Sequence, residues 1–77
     1  PQGHLLLYKN LDRPGMLAAV GSILASEGIN IGGLALGRLG PGEVAMTVMN
    51  VDSPILGGVL SRLKGLDGVS EVRAIKL

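Results

Sequence analysis

PGMLAAVGSILASEG, residues 14–28, decides how the rest of the chain is read. Met16, Leu17, Val20, Ile23 and Leu24 recur at helical spacing, so one face of a helix is apolar. Pro14 suits the first helical turn, where a missing N–H and a fixed φ cost nothing. Gly28 stands where the helix should stop in the left-handed conformation. Upstream, residues 4–9 form a short apolar run of strand length, which Asn10-Leu11-Asp12-Arg13-Pro14-Gly15 breaks. Downstream, residues 29–38 read as a strand weakened by Gly32 and Gly33. Gly40-Pro41-Gly42 reverses the chain, and residues 43–51 form the clearest strand, completing a hairpin. Ser53 and Pro54 are an expected N-cap and first helical residue. Ile55, Leu56, Val59, Leu60 and Leu63 then line a second helix that Gly65 closes. Gly57 and Gly58 each cost that helix about 1 kcal/mol relative to Ala, which a close backbone approach would explain. Leu66-Asp67-Gly68 turns into a last strand over 69–77, with Val72 and Ala74 on one face and Val69, Ile75 and Leu77 on the other.

The order β-α-β-β-α-β predicts an α+β, ferredoxin-like sandwich: a four-stranded antiparallel sheet with both helices on one face. The 77 residues make a single domain, 1–77. A chain this short buries only about 60% of its unfolded surface and usually needs help. Disulfides and thiolate-bound metals are excluded by the absence of Cys. Mean hydropathy of +0.47 beside 17% charged residues points to a partner surface. So do the strands, since Leu5 and Leu7 lie opposite Leu6 and Tyr8, and Val44, Met46 and Val48 lie opposite Ala45 and Met49. One face of a helix-covered sheet should be polar in a monomer, and symmetric pairing is the simplest remedy.

Net charge of +1 and a single aromatic, Tyr8, leave no basic stripe and no stacking platform for nucleic acid. No apolar run is long enough for a membrane helix. The chain begins with Pro1 and is expected to be a piece of a longer, cytoplasmic protein. No catalytic constellation is present. His4 is the sole imidazole, the five serines lack a base at any recognisable spacing, and the six acidic residues are scattered. The glycines do not form a dinucleotide fingerprint. The expected role is binding, with no catalysis and no cofactor or metal of its own.

The corner between the first strand and the first helix carries the polar groups. Free N–H groups at the helix start favour a carboxylate, Asp12 can receive an ammonium, and Asn10 and Asn30 each offer a donor and an acceptor. Together they match the zwitterion of an amino acid. Read singly they are blander. Asp12 can close an Asx-turn, Asn10 can end a strand, Gly15 can serve packing, and Arg13 can be a solvated charge.

The segments Asn-Leu-Asp-Arg-Pro-Gly (10–15), Gly-Ile-Asn-Ile (28–31) and Gly-Glu-Val-Ala-Met (42–46) resemble an ACT domain, most closely the C-terminal regulatory domain of the D-3-phosphoglycerate dehydrogenases. The iron–sulfur L-serine dehydratases carry a similar domain. The resemblance implies a homodimer through sheet-edge pairing that binds a small amino acid, L-serine, at its interface. Asn10, Asp12 and Asn30 would be the effector-binding side chains, with the backbone around Leu11 and Gly15 completing the pocket. It also implies a separate parent catalytic domain using NAD, under feedback control of serine biosynthesis. A dimerisation module without an effector is the competing expectation.

Overall fold

The computed structural model describes residues 3–38 and 44–77. Six elements run β1 (His4–Leu11), α1 (Met16–Ser26), β2 (Ile31–Arg38), β3 (Val44–Val51), α2 (Gly57–Lys64) and β4 (Val69–Lys76). The strands form one sheet in the order β2-β3-β1-β4, with every neighbouring pair antiparallel. This is the ferredoxin-like arrangement expected from the element order. The turn at 40–42 lies outside the described residues. β1 runs two residues beyond the expected 4–9, because Asn10 and Leu11 still pair with Ala45 and Val44.

The alternation of each strand sorts its side chains between the two faces. Leu6, Tyr8 and Asn10 of β1, and Ala45, Thr47, Met49 and Val51 of β3, are buried toward the helices. Val20, Ile23 and Leu24 of α1 and Val59 and Leu63 of α2 close over them as one cluster. Leu24, Met49 and Leu63 are fully buried, and truncating such a side chain to Ala typically costs about 2–5 kcal/mol.

One sequence expectation about the core fails instructively. Strict alternation puts Val69 on the face away from Val72. The β1–β4 register slips between Lys9 and Asn10, so Asn10 faces Val69 while Lys9 faces Glu71. That bulge adds one residue on β4 and returns Val69 to the helix side, where it packs on the core.

The helix ends divide in the same way. At the end of α1, Gly28 takes φ +74. Its N–H donates to Ala25 O at 3.0 Å, and the Ile29 N–H donates to Leu24 O at 2.9 Å. This is a Schellman closure, with Leu24 and Ile29 both buried as its apolar pair. The start of α1, at Met16, lies two residues later than Pro14 implies. Pro14 precedes the cap, and Gly15, at φ +89, is the N-cap. An added Cβ at Gly15 would meet nothing within 4 Å, so the glycine serves backbone conformation and not close packing.

α2 starts later than Ser53-Pro54 implies. Its N-cap is Leu56, and the Ser53 hydroxyl donates to Asp52 at 3.0 Å instead of capping. Gly57 and Gly58 thus fall in the first turn, with no atom within 4 Å of an added Cβ; no close backbone approach explains them. Gly65 closes α2 in the right-handed region, at φ −81.

The sheet face away from the helices carries an apolar patch bordered by Lys9, Asn50, Glu71 and Arg73. Leu5, Leu7, Val44 and Val48 are half-buried there, beside the more exposed Met46.

Candidate functional site

The β1–α1 corner is a tightly tied loop. The Arg13 N–H donates to Leu11 O at 2.9 Å, closing a three-residue turn with Asp12 at its apex. The Asn10 Nδ2 also donates to Leu11 O, at 2.9 Å. The Leu11 N–H donates to Gly68 O at 2.8 Å, pinning the corner to the α2–β4 turn. Both backbone groups of Leu11 are therefore occupied in holding Asp12 forward. Arg13 strengthens this tie. Its guanidinium donates to both the carbonyl and the carboxylate of Asp67 at 3.0 Å, so it is not a freely solvated charge. It lies so close over Gly68 that an added Cβ there would come within 2.9 Å of Nη2.

Beneath the corner lies a small polar patch in the core. Asn10 is 5% exposed and Thr47 1%, and the Thr47 hydroxyl donates to Asn10 Oδ1 at 3.4 Å. Tyr8 sits directly opposite Thr47 across the sheet. Burial pushes the Tyr8 hydroxyl above the usual tyrosine range, and its hydrogen bond with Thr47 opposes that rise.

Asp12 is the corner's forward acceptor. Its side chain is 22% exposed, and its Oδ2 receives Arg38 Nε at 2.9 Å. Arg38 ends β2, level with Ala45 and Asn10 across the sheet. The sequence reading did not single out Arg38, which is 26 positions from Asp12 and becomes its neighbour only through the register of three strands. The N-terminus of α1 meets the same corner with no side-chain cap and no acidic residue in its first turn. Its leading N–H groups have no intrahelical acceptors.

Asn30 is not at this corner. It precedes β2 at the opposite end of the sheet, where Ile31 faces Val51, and Val51 faces His4. The level of Asn10 lies six residues further along β1, about 20 Å away. At its own end Asn30 is firmly held: its N–H donates to Asp52 Oδ1 and its Nδ2 to Asp52 Oδ2, each at 2.9 Å. The backbone bond from Asn30, ahead of its side-chain bond and that of Ser53, holds the Asp52 carboxyl below the usual carboxylate range. The carboxylate also fixes the amide's orientation, leaving Asn30 Oδ1 as the acceptor turned from Asp52. One chain therefore unites Asn10, Asp12 and Gly15, and leaves Asn30 apart.

A shallow depression of about 460 Å³ reaching Arg38, lined also by Ala35, Leu36, Gly37, Met46 and Val48, has no carboxylate among its lining residues. Among the described residues, no group of three or more His, Cys, Asp or Glu could hold a metal. No described helix is long and apolar enough to cross a membrane.

Known proteins share both the sequence and the fold. The ACT domain family model matches residues 4–68. The chain is 33% identical over 79 residues to D-3-phosphoglycerate dehydrogenase of Archaeoglobus fulgidus, covering 100% of this chain and 15% of that protein. It is 32% identical over 77 residues to the enzyme of that name from Methanocaldococcus jannaschii, again over 100% of this chain and 15% of the relative. The chain thus spans about 15% of the length of these relatives. Among solved structures, a homoserine dehydrogenase from Thiobacillus denitrificans superposes with TM-score 0.81 at 21% identity, over 99% of this chain and 17% of that one. The ACT domain from GTP pyrophosphokinase of Chlorobium tepidum superposes with TM-score 0.72 at 14% identity, over 97% of this chain and 100% of that one. ACT domains are non-catalytic regulatory modules that generally bind amino acids and dimerise, and this chain belongs to the ACT domain family.

Proposed function

We propose that this domain senses L-serine as a homodimer and exerts feedback control on a D-3-phosphoglycerate dehydrogenase in serine biosynthesis. The observation that carries the reading is the composition of the corner. A partly buried carboxylate, Asp12, stands beside an uncapped helix N-terminus, offering one acceptor for an ammonium and donors for a carboxylate. The whole-chain likeness to dehydrogenases of that name supports the choice of parent.

The separation of Asn30 from Asp12 supports a site shared by two chains. β2 is an edge strand. Two such edges, paired antiparallel about a two-fold axis, would bring the start of one β2 beside the end of the other. Asn30 of the partner subunit would then supply an acceptor to the corner formed by Asp12 and Gly15. Ligand bound across the pair couples to a distant catalytic part only through differential affinity for two states, typically about 1–3 kcal/mol.

Calorimetric titration with L-serine, using glycine, L-alanine and D-serine as controls, tests the reading. Saturable, stereoselective binding that Asp12→Ala abolishes, with the fold intact by circular dichroism, is expected. Unchanged affinity in that variant would mean the site is elsewhere. A dimer indifferent to every amino acid would favour the second reading, a structural pairing module, which the apolar β2 edge also fits.

A further inference from the structure

We propose that Arg38 selects for the α-carboxylate of the effector: it holds Asp12 in the empty domain and passes to the ligand's carboxylate when the ligand's ammonium takes its place. This rests on the amino-acid-sensing reading of the corner and adds the residue that sets ligand class. Among the described residues, the corner holds one anion and two features that attract anions. Asp12 is the anion, while Arg38 and the uncapped start of α1 compete for it. In the structure Asp12 pairs with Arg38, and no side chain caps the helix. A zwitterion adds one charge of each sign, so every group in the corner gains a partner: ammonium on Asp12, carboxylate between Arg38 and the helix N–H groups.

Exposure makes the exchange easy. Arg38 is 67% exposed against 22% for Asp12. A pair so open on the arginine side is weak and readily broken, whereas the less exposed carboxylate gains more from a cationic partner. Arg13, the other cation of the loop, is committed to Asp67. Ala45 stands between Arg38 and Asn10 in the row across the sheet. The contact with Asp12 runs through Nε, and the outer nitrogens of the planar fork suit bidentate engagement of a carboxylate.

The test is calorimetric titration of the native chain and Arg38→Gln with L-serine and with ethanolamine, which keeps the ammonium and hydroxyl but lacks the carboxylate. Arg38→Gln is expected to weaken L-serine by about ten- to hundredfold, the worth of a charge-assisted hydrogen bond. Ethanolamine should bind the variant at least as well as the native chain, because the competitor for Asp12 is gone. Equal weakening of both ligands would overturn the proposal and reduce Arg38 to a residue that positions Asp12. Unchanged L-serine affinity would overturn it as well, while leaving the sensing reading intact. A native chain that binds no amino acid would overturn that reading together with the arginine's role.

Discussion

Along β2, the seven residues from Ile31 to Gly37 carry no charge, and Ile31, Leu34 and Leu36 are 41%, 47% and 44% exposed. Along β4, the other edge of the same sheet, Glu71, Arg73 and Lys76 interrupt a strand of equal length. Leu34 and Leu36 stand opposite Met49 and Thr47, so they project to the helix side, yet the helices leave them uncovered. An open row of N–H and C=O groups flanked by exposed leucines invites another strand, whereas a charged edge discourages one. On the dimer proposed above, the difference marks β2 as the edge that would pair and β4 as the edge that would stay free. The same pairing would complete the proposed binding corner across two chains, because Arg38 and Asn30 lie at the two ends of the β2 edge.

The largest expected effect comes from charging one edge and then the other. Leu36→Lys should convert the dimer to monomer in sedimentation equilibrium and lower L-serine affinity by more than about a hundredfold, since pairing would bury the new charge without a partner. Ile75→Lys, the same charge placed on β4, should leave both unchanged. Equal sensitivity of the two edges would break the comparison.

Next comes the backbone that presents the corner to the β2 edge. Gly15→Ala forces a Cβ into φ +89 and should lower stability by about 1–2 kcal/mol in urea unfolding. Gly65→Ala, at φ −81 with its nearest atoms 3.5 Å from an added Cβ, should cost much less.

A pH effect belongs to neither edge. The Tyr8 hydroxyl is raised above its unfolded value by burial. The folded state therefore holds this proton where the unfolded state has begun to lose it. The contribution is whole below about pH 10 and is lost as pH rises through the folded value. Alkaline unfolding curves should steepen there, and Tyr8→Phe should flatten them. The smallest effect is expected at β4. Lys9 and Glu71 pair at 3.3 Å with the carboxylate 65% exposed, so Glu71→Gln should cost less than about 1 kcal/mol in the same unfolding assay.

The sequence disclosed most of the fold because its signals were local. The apolar stripe of α1 and the left-handed Gly28 are read within one helix, and the strand alternations of β1 and β3 within eight residues. What it hid was set by pairing. The bulge that turns Val69 inward depends on how β1 and β4 align. The late start of α2 follows from Ser53 donating to Asp52, which leaves the apparent cap otherwise engaged. In the proposed site, Asn10, Asp12 and Gly15 were legible because they fall within six residues of one another at the β1–α1 junction. Arg38 was not, since its meeting with Asp12 requires three strands in register. Asn30 was legible as a polar residue, but its place at the far end of the sheet follows only when β2 is traced back along α1.

The shared site is tested most directly by complementation. Asp12→Ala and Asn30→Ala chains, each purified and titrated with L-serine, should bind none alone. Refolded together, they should form mixed dimers in which one corner has lost both residues and the other retains both. Binding should then return at about a quarter of the native capacity, as random two-fold pairing requires. If the mixture stays silent, or if Asn30→Ala alone binds like the native chain, the corner is not completed across the β2 edge.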